Sequence, residues 1–222
     1  MIERVDLAAQ VHHALQDAIV AGQIAPGTRL LQEDLATRLK VSRQPVLQAL
    51  KQLEVDGLAI PADGRGTLIV APLDPGAMHD FYALRRELDG LAAFRAAERI
   101  ASRDALKLSL DLLQTGRRAT QAGDLNALVR ADAQFHRAIY LASGNQLLPR
   151  VLEAHWLHLE RYMSALLADG GSRRGIWDEH AEQLNAINAG SAVLARTLAQ
   201  RHADAAGAAL QLRQTASRHK RN

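Results

Sequence analysis

Four ionisable side chains in the second half of the sequence have the types and spacing of a metal site. Asp132 and His136 lie one helical turn apart on or beside an apolar stripe, so both side chains can reach one point. His180 and His202 lie within the apolar stripes of two later helical segments. Ionisable groups in a helical core need partners, and one cation would satisfy all four. The pattern therefore favours a cation held by one carboxylate and three imidazoles.

This donor set suits a late divalent transition metal, because imidazole is a ligand of borderline softness. Zn²⁺ is the first choice, and the absence of cysteine leaves Ni²⁺, Co²⁺, Mn²⁺ and Fe²⁺ open. The alternative is that each histidine is satisfied separately in the core and that the aspartate is capped by its own neighbours. The convergence of the four positions from three helical segments favours the metal.

A further charged group lies in the segment that begins after residue 75. Arg85 borders a stripe formed by Phe81, Leu84 and Leu88, so its guanidinium could point inward and pair with a carboxylate. The same spacing also allows a surface ion pair between Arg85 and Asp89. The sequence does not decide between these two arrangements.

The segments that carry these residues are all predicted to be helical. Ala71-Pro72-Leu73-Asp74-Pro75 is the clearest linker, and no segment after Val70 has the period of a strand. Ser102 and Asp124 are suitable N-caps, and glycines interrupt the pattern at the expected helix ends. The predicted helices are 75–100, 102–122, 124–143, 146–168, 174–189 and 191–218. Short connections between six helices predict an antiparallel helical bundle.

The first third of the chain has a different pattern, that of a winged helix-turn-helix. Helical periodicity covers about 6–21, resumes after Pro26-Gly27, and continues in a third helix that Ser42 caps and Gly57 ends. Two short apolar runs, 58–60 and 67–70, then flank a Gly-rich turn. The predicted fold class is therefore mainly α, with a winged helix-turn-helix at 1–71, a linker at 72–76 and the six-helix antiparallel bundle at 77–222.

The second helix of such a module enters the major groove of DNA, which makes its polar residues candidates for DNA contacts. Val46, Ala49, Leu50 and Leu53 should face the core. Residues 1–72 carry seven basic and eight acidic side chains, so net charge does not favour DNA and local clusters must bind the phosphates. The candidate DNA-binding residues are Arg38, Arg43, Gln44, Gln48 and Lys51, together with Arg65 at the tip of the wing. A protein-binding helix-turn-helix adaptor is the alternative.

Composition excludes several classes of protein. The chain has 222 residues and no cysteine, which excludes disulfides, thiolate catalysis and cysteine-based zinc sites. No apolar run approaches the roughly 20 residues that span a bilayer, so no membrane is expected among the partners. The N-terminal residues lack the apolar stretch of a signal peptide. The expected compartment is the cytoplasm.

Residues 22–70 resemble the N-terminal domain of GntR-type bacterial transcription regulators. The shared pattern is a Gly, then Pro-Gly, two helices, the run from Val41 to Val46, and a Gly-containing wing. The rest is similar to the FCD effector domain of the FadR-type subgroup. Its marks are Arg85-x-x-Leu88-Asp89, Asp132-x-x-x-His136, Ser143-Gly144-Asn145, Glu179-His180 and His202.

The resemblance carries expectations of its own. In that family the Asp and three His bind a divalent metal, commonly Zn²⁺ or Ni²⁺, and a small organic acid binds at or beside it. The resemblance implies that Arg85 meets the effector carboxylate, with Asn145 nearby. Leu47-Gln48 departs from the usual Arg-Glu of the recognition helix, which puts the usual operator sequence in doubt. Asp89 in place of the common Glu is a milder change.

These inferences predict a homodimeric transcription regulator, with repression favoured and activation left open. Its partners would be double-stranded operator DNA and a small carboxylic-acid effector. The rival from another class is a metal-dependent enzyme in a helical bundle, where an open metal position activates water. Against the enzyme, the sequence offers no convincing general acid or base beside the ligands, and the N-terminal module would be unexplained.

Overall fold

The computed structural model describes residues 6–62, 66–103, 107–153, 156–167 and 173–219, and these include ten helices and three short strands. The chain divides into two compact units, Met1–Leu73 and Asp74–Asn222. The mainly α fold class is confirmed, with the strands confined to the first unit. None of the described helices is long and apolar enough to cross a membrane.

The first unit is a three-helix module with a small sheet. Its elements are α1 (Leu7–Val20), β1 (Arg29–Leu30), α2 (Gln32–Leu39), α3 (Arg43–Val55), β2 (Ala59–Pro61) and β3 (Leu68–Val70). The sheet order is β1-β3-β2, with both pairs antiparallel. Sequence periodicity missed β1, because a two-residue strand is too short to show a period of two. Arg29 faces Ile69 across the ladder, so β1 completes the sheet beside the wing.

The recognition helix α3 is held by its apolar face. Val46, Ala49, Leu50 and Leu53 are buried as predicted, against α1 residues that include Val11 and Leu15. A polar contact adds to this packing, since His12 of α1 lies 2.7 Å from the Asp56 carboxylate at the end of α3. The opposite side of α3 is thereby left facing solvent.

The second unit consists of helices among its described residues. They are α4 (Pro75–Ala101), α5 (Asp111–Ala122), α6 (Leu125–Ala142), α7 (Leu147–Glu153), α8 (Trp156–Leu167), α9 (Arg173–Asn188) and α10 (Ala192–His219). Asp74 caps α4 by accepting a hydrogen bond from the Gly76 backbone N–H, and Pro75 occupies the first turn. Helix α4 therefore begins inside the segment that the sequence predicts as linker.

Two predicted boundaries differ from the structure. The helix expected to begin at Ser102 begins at Asp111, because the Asn188 side chain donates to the Leu108 carbonyl and accepts from its N–H. These bonds hold Leu108 outside any helix. Because Asn188 is far away in the chain, the local sequence around Leu108 gives no sign of them. The single helix predicted at 146–168 is described as α7 and α8, and residues 154–155 between them lie outside the described part of the chain.

Helices α4 and α10 pack closely because their contact faces are small. Alanines are buried along both, including Ala93 and Ala97 on α4 and Ala195 and Ala199 on α10. A Cβ added at Gly207 would lie 3.2 Å from the Tyr82 Cβ, which shows how near the two backbones come. This packing places Arg85 of α4 inside the bundle.

Gly116 of α5 gives a direct test of the packing. A Cβ at this position would lie 1.9 Å from the Trp177 Cζ2 atom, and the Trp177 side chain is buried. We expect Gly116→Ala to lower the free energy of unfolding by about 1–3 kcal/mol through overpacking. Gly175→Ala is the matched control, because its Cβ would meet no atom within 4 Å. Urea denaturation of both variants measures the difference, and equal stabilities would contradict the described packing.

Candidate metal and effector site

Helix α6 positions the first two candidate ligands. Asp124 caps it by accepting a hydrogen bond from the Ala127 N–H, which fixes where the helix begins. Asp132 and His136 follow on its inner face, each only 2% exposed. Both were predicted to lie on or beside the buried stripe, and both are buried with Phe135 and Ile139.

Helices α9 and α10 supply the other two. His180 is fully buried and His202 is 3% exposed. The His180 ring stacks on Phe135 with 4.1 Å between ring centroids, and Trp177 meets its edge at 4.7 Å. These aromatic contacts fix the plane of the His180 ring, so its nitrogens have defined directions.

The four side chains converge on one point. Each offers one ligand atom, and these atoms all lie within 4.8 Å of one another. The His180 Nε2 lies 3.3 Å from the His202 Nε2 and 3.5 Å from the Asp132 Oδ1, and the His136 Nε2 lies 3.8 Å from the Asp132 Oδ2. Ligands about 2.0–2.1 Å from a tetrahedral metal are separated by roughly 3.3 Å. The separations in the cluster are close to that value.

Burial sets the charge of these groups. It raises the pKa of Asp132 above its usual value. It also lowers the pKa of His136 and of His180 well below the usual range, and the nearby Arg85 guanidinium and His202 ring add to this effect. The imidazoles of His136 and His180 are therefore held neutral, which is the form that binds a metal.

Two buried atoms of the cluster have no hydrogen-bond partner among the described residues. They are the Asp132 Oδ1 and the His180 Nδ1. An unpartnered buried carboxylate oxygen is costly, and a divalent cation at the centre of the cluster would satisfy it. The residues present thus fit a divalent metal.

Glu179 supports the cluster from outside, and the sequence did not single it out for that role. Its carboxylate accepts a hydrogen bond from the His202 Nδ1 at 2.7 Å. A carboxylate on the far nitrogen of a histidine orients the ring and leaves the Nε2 lone pair free to bind a metal. In the sequence, the only sign of this role is that Glu179 directly precedes His180. The contact between Glu179 and His202 is visible only in the three-dimensional structure.

Arg85 points inward, and its pair with Asp89 is buried, so the surface ion pair that the sequence also allowed is not formed. Its side chain is fully buried, and its Nε donates to the Asp89 carboxylate at 3.0 Å. Its Nη2 lies 2.7 Å from the His136 Nε2. Its Nη1 has no partner among the described residues. Burial lowers the pKa of Arg85, but the groups around it, Asp89 first, together outweigh this effect, so the pKa is raised and the guanidinium stays charged.

Two tyrosines enclose this arginine. The Tyr140 hydroxyl donates to the second oxygen of Asp89, which anchors the carboxylate that holds Arg85. Burial raises the pKa of Tyr82, whose ring lies 5.6 Å from the Arg85 guanidinium carbon, to about 12. Both hydroxyls therefore stay protonated at neutral pH, and the Asp89–Arg85 pair is the charged part of this network.

The structure does not bring Asn145 into the cluster. Asn145 is exposed and accepts a hydrogen bond from the Leu147 N–H at the start of α7. It lines a separate surface cleft of about 1000 Å³ together with Arg99 and Ser143. The effector role expected of Asn145 therefore remains a prediction without a contact to Arg85 or to the four ligands.

The candidate DNA-binding residues of the first unit are exposed. Gln44, Gln48 and Lys51 line the outer side of α3, and Arg38 lies near the end of α2. The Arg43 guanidinium lies 2.7 Å from the Glu33 carboxylate in an ion pair that is about 70% exposed. Arg65, the predicted wing contact, lies outside the described residues.

Both halves of the chain match family models. Residues 7–69 match the model of bacterial regulatory proteins of the gntR family, and residues 80–205 match the FCD domain. The two matches together cover nearly all of both units. They correspond to the winged helix-turn-helix and to the helices that carry the four-residue cluster.

Curated relatives and solved structures agree with these matches. The regulator McbR of Escherichia coli is 28% identical over 160 residues, which cover 71% of each chain. The Nta operon transcriptional regulator of Aminobacter aminovorans is 29% identical over 72% of this chain and 74% of its own. The solved structure of E. coli McbR/YncC covers 96% of this chain and 100% of its own, with a TM-score of 0.73 and 22% identity. These relatives are regulators, which argues against the metal-dependent enzyme.

Proposed function

This chain belongs to the GntR family of bacterial regulatory proteins and is a DNA-binding transcription regulator, and we propose that a metal and a small carboxylic acid control its binding. Four buried ligand atoms within 4.8 Å of one another carry this proposal. Zn²⁺ is our first choice of metal and Ni²⁺ the second, because three imidazoles and a carboxylate suit late divalent ions. Asp132, His136, His180 and His202 hold it.

The effector is a small organic acid that binds beside the metal. A bound divalent ion supplies an electrophilic centre that can coordinate a carboxylate oxygen. Arg85 offers the second recognition group, because its unpartnered Nη1 can donate to the same carboxylate. Asn145 remains the proposed additional contact, and it would have to act from the separate surface cleft that it lines. The negative charge of the effector is then balanced by both the metal and Arg85.

The output is operator binding by a homodimer in the cytoplasm, and the proposed action is repression. We assign residues 1–71 to the DNA-binding domain, residues 72–76 to a linker whose last two residues begin α4, and residues 77–222 to the metal and effector domain. Arg38, Arg43, Gln44, Gln48, Lys51 and Arg65 contact the operator. Two recognition helices must match two half-sites, so a small change in their relative placement costs much of the affinity. Effector binding would cause that change by biasing the helical domain between two arrangements.

The metal assignment is tested by removing one ligand. We expect the wild type to bind one metal ion per chain and His136→Ala to bind less. The affinity of the variant for the metal should fall more than about ten-fold, because removing a group that only orients a ligand already costs that much. Elemental analysis after dialysis measures this content. His79→Ala is the matched control, because His79 is exposed on α4 and contacts Gln211 instead.

A second variant distinguishes loss of the metal from loss of folding. His202→Gln keeps a polar side chain of similar volume at the cluster and should lose metal while retaining its helical circular dichroism. In gel shifts with the protein's own upstream DNA, both ligand variants should retain the shift but lose its response to metal. Unchanged metal content in folded His136→Ala and His202→Gln would refute the site assignment.

A further inference from the structure

The outer face of α3 has an unusual combination of side chains for reading DNA. The exposed residues of its first two turns are Arg43, Gln44, Leu47 and Gln48, with Lys51 one turn later. Leu47 is 38% exposed although it lies among polar residues. The core-facing positions of α3 are Val46, Ala49, Leu50 and Leu53, so Leu47 is not part of the buried face of the helix.

Each of these side chains has a preferred base. A glutamine amide can bond both N6 and N7 of adenine, and an apolar side chain contacts the C5 methyl group of thymine. Arginine is the usual partner of guanine, but the Arg43 guanidinium is paired with Glu33 at 2.7 Å. Lys51 is a point charge that suits a phosphate, which carries no sequence information.

We infer that Leu47 is a specificity-determining residue that reads thymine methyl groups, with Gln44 and Gln48 reading the adenines of neighbouring pairs. The side chains at 44, 47 and 48 follow one another along the same face, as i, i+3 and i+4 positions do. The half-site read by α3 is therefore rich in A·T pairs. This inference rests on DNA binding by the first unit and is independent of the metal site.

The test uses DNA selected by the full-length protein from a random duplex library. Thymines in the selected half-sites are then replaced one at a time by deoxyuridine, which removes only the C5 methyl group. We expect one or two replacements to weaken wild-type binding about four-fold, the factor that burying one methyl group contributes. In Leu47→Ala the same replacements should have no effect, because the side chain that contacts the methyl group is gone.

Two control variants isolate the role of Leu47. Val55→Ala removes an apolar side chain that is 79% exposed at the far end of the same helix, and it should keep the deoxyuridine effect. Lys51→Ala should weaken binding to all sequences alike. Selected half-sites dominated by G·C pairs, or a deoxyuridine effect that survives in Leu47→Ala, would overturn the inference while DNA binding itself stands. Failure to enrich any sequence would overturn both.

A separate observation concerns the metal site and rests on the function proposed for it. The Arg85 Nη2 donates to the His136 Nε2, and guanidinium nitrogens are donors only. The contact therefore uses the single in-plane lone pair of that nitrogen. The other ring nitrogen, Nδ1, faces the Asp89 carboxylate at 3.8 Å. Coordination of a metal by the His136 Nε2 and donation from Arg85 exclude each other.

We propose that Arg85 competes with the metal for His136. A carboxylate that accepts from both Nη1 and Nη2 of Arg85 takes Nη2 away from the imidazole and so tightens metal binding. Because coupling between two ligands is reciprocal, the metal tightens binding of the carboxylate by the same factor. Tyr140 and Asp89 set the balance, since they anchor the guanidinium at its Nε.

The affinity for Zn²⁺ alone tests this competition, measured against a chromophoric chelator. We expect Arg85→Met to bind Zn²⁺ roughly ten-fold more tightly, since a hydrogen bond from a charged donor contributes about that factor. The double variant Arg85→Met/Asp89→Asn removes both charges of the buried pair. The net charge of the protein is therefore unchanged, and no unpaired Asp89 carboxylate is left in the core. The double variant should show the same gain.

Arg86→Met is the matched control, because the Arg86 side chain is only half-buried on the same helix and pairs with Asp204 instead. Its affinity for Zn²⁺ should equal that of the wild type. Unchanged or weaker binding by the double variant, with one ion per chain in the wild type, would overturn the competition and leave the metal site intact. A wild type that binds no ion would overturn both.

Discussion

The burial of four ionisable side chains at one point of a helical domain is the constraint on which the second unit depends. Asp132, His136, His180 and His202 are at most 3% exposed. A buried carboxylate and a buried imidazole each lose their water, and this loss must be offset inside the protein. Part of the compensation comes from Glu179 and Arg85, and the proposed divalent cation would supply the rest. Three helices must hold their register for the four ligand atoms to meet.

The buried arginine gives this arrangement a second charge to balance. Asp89 and Tyr140 hold the Arg85 guanidinium at its Nε side, and its Nη2 contacts His136 of the cluster. A buried ion pair contributes little net stability against an apolar alternative, because desolvation offsets the attraction between its charges. The role of the Arg85–Asp89 pair is to fix the position of the guanidinium, which places a hydrogen-bond donor beside the proposed metal. The same group can then recognise an anion and oppose a cation.

Local periodicity predicted much of this site. Asp132, His136, His180 and His202 were found because a polar residue on an apolar stripe is visible in a single helix. Glu179 was not assigned its role, because its bond to His202 joins two helices. The Leu108–Asn188 bonds that delay α5 are equally non-local. Arg85 was predicted either to point inward or to form a surface pair with Asp89, and the structure shows an inward arginine whose pair with Asp89 is buried.

Anomalous diffraction at the zinc edge, from crystals of the full chain grown with Zn²⁺, tests the central claim most directly. The account predicts one strong peak per chain, about 2.0–2.2 Å from one atom of each of Asp132, His136, His180 and His202. A zinc peak bound only by exposed histidines such as His79, with no density at the buried cluster, would contradict it.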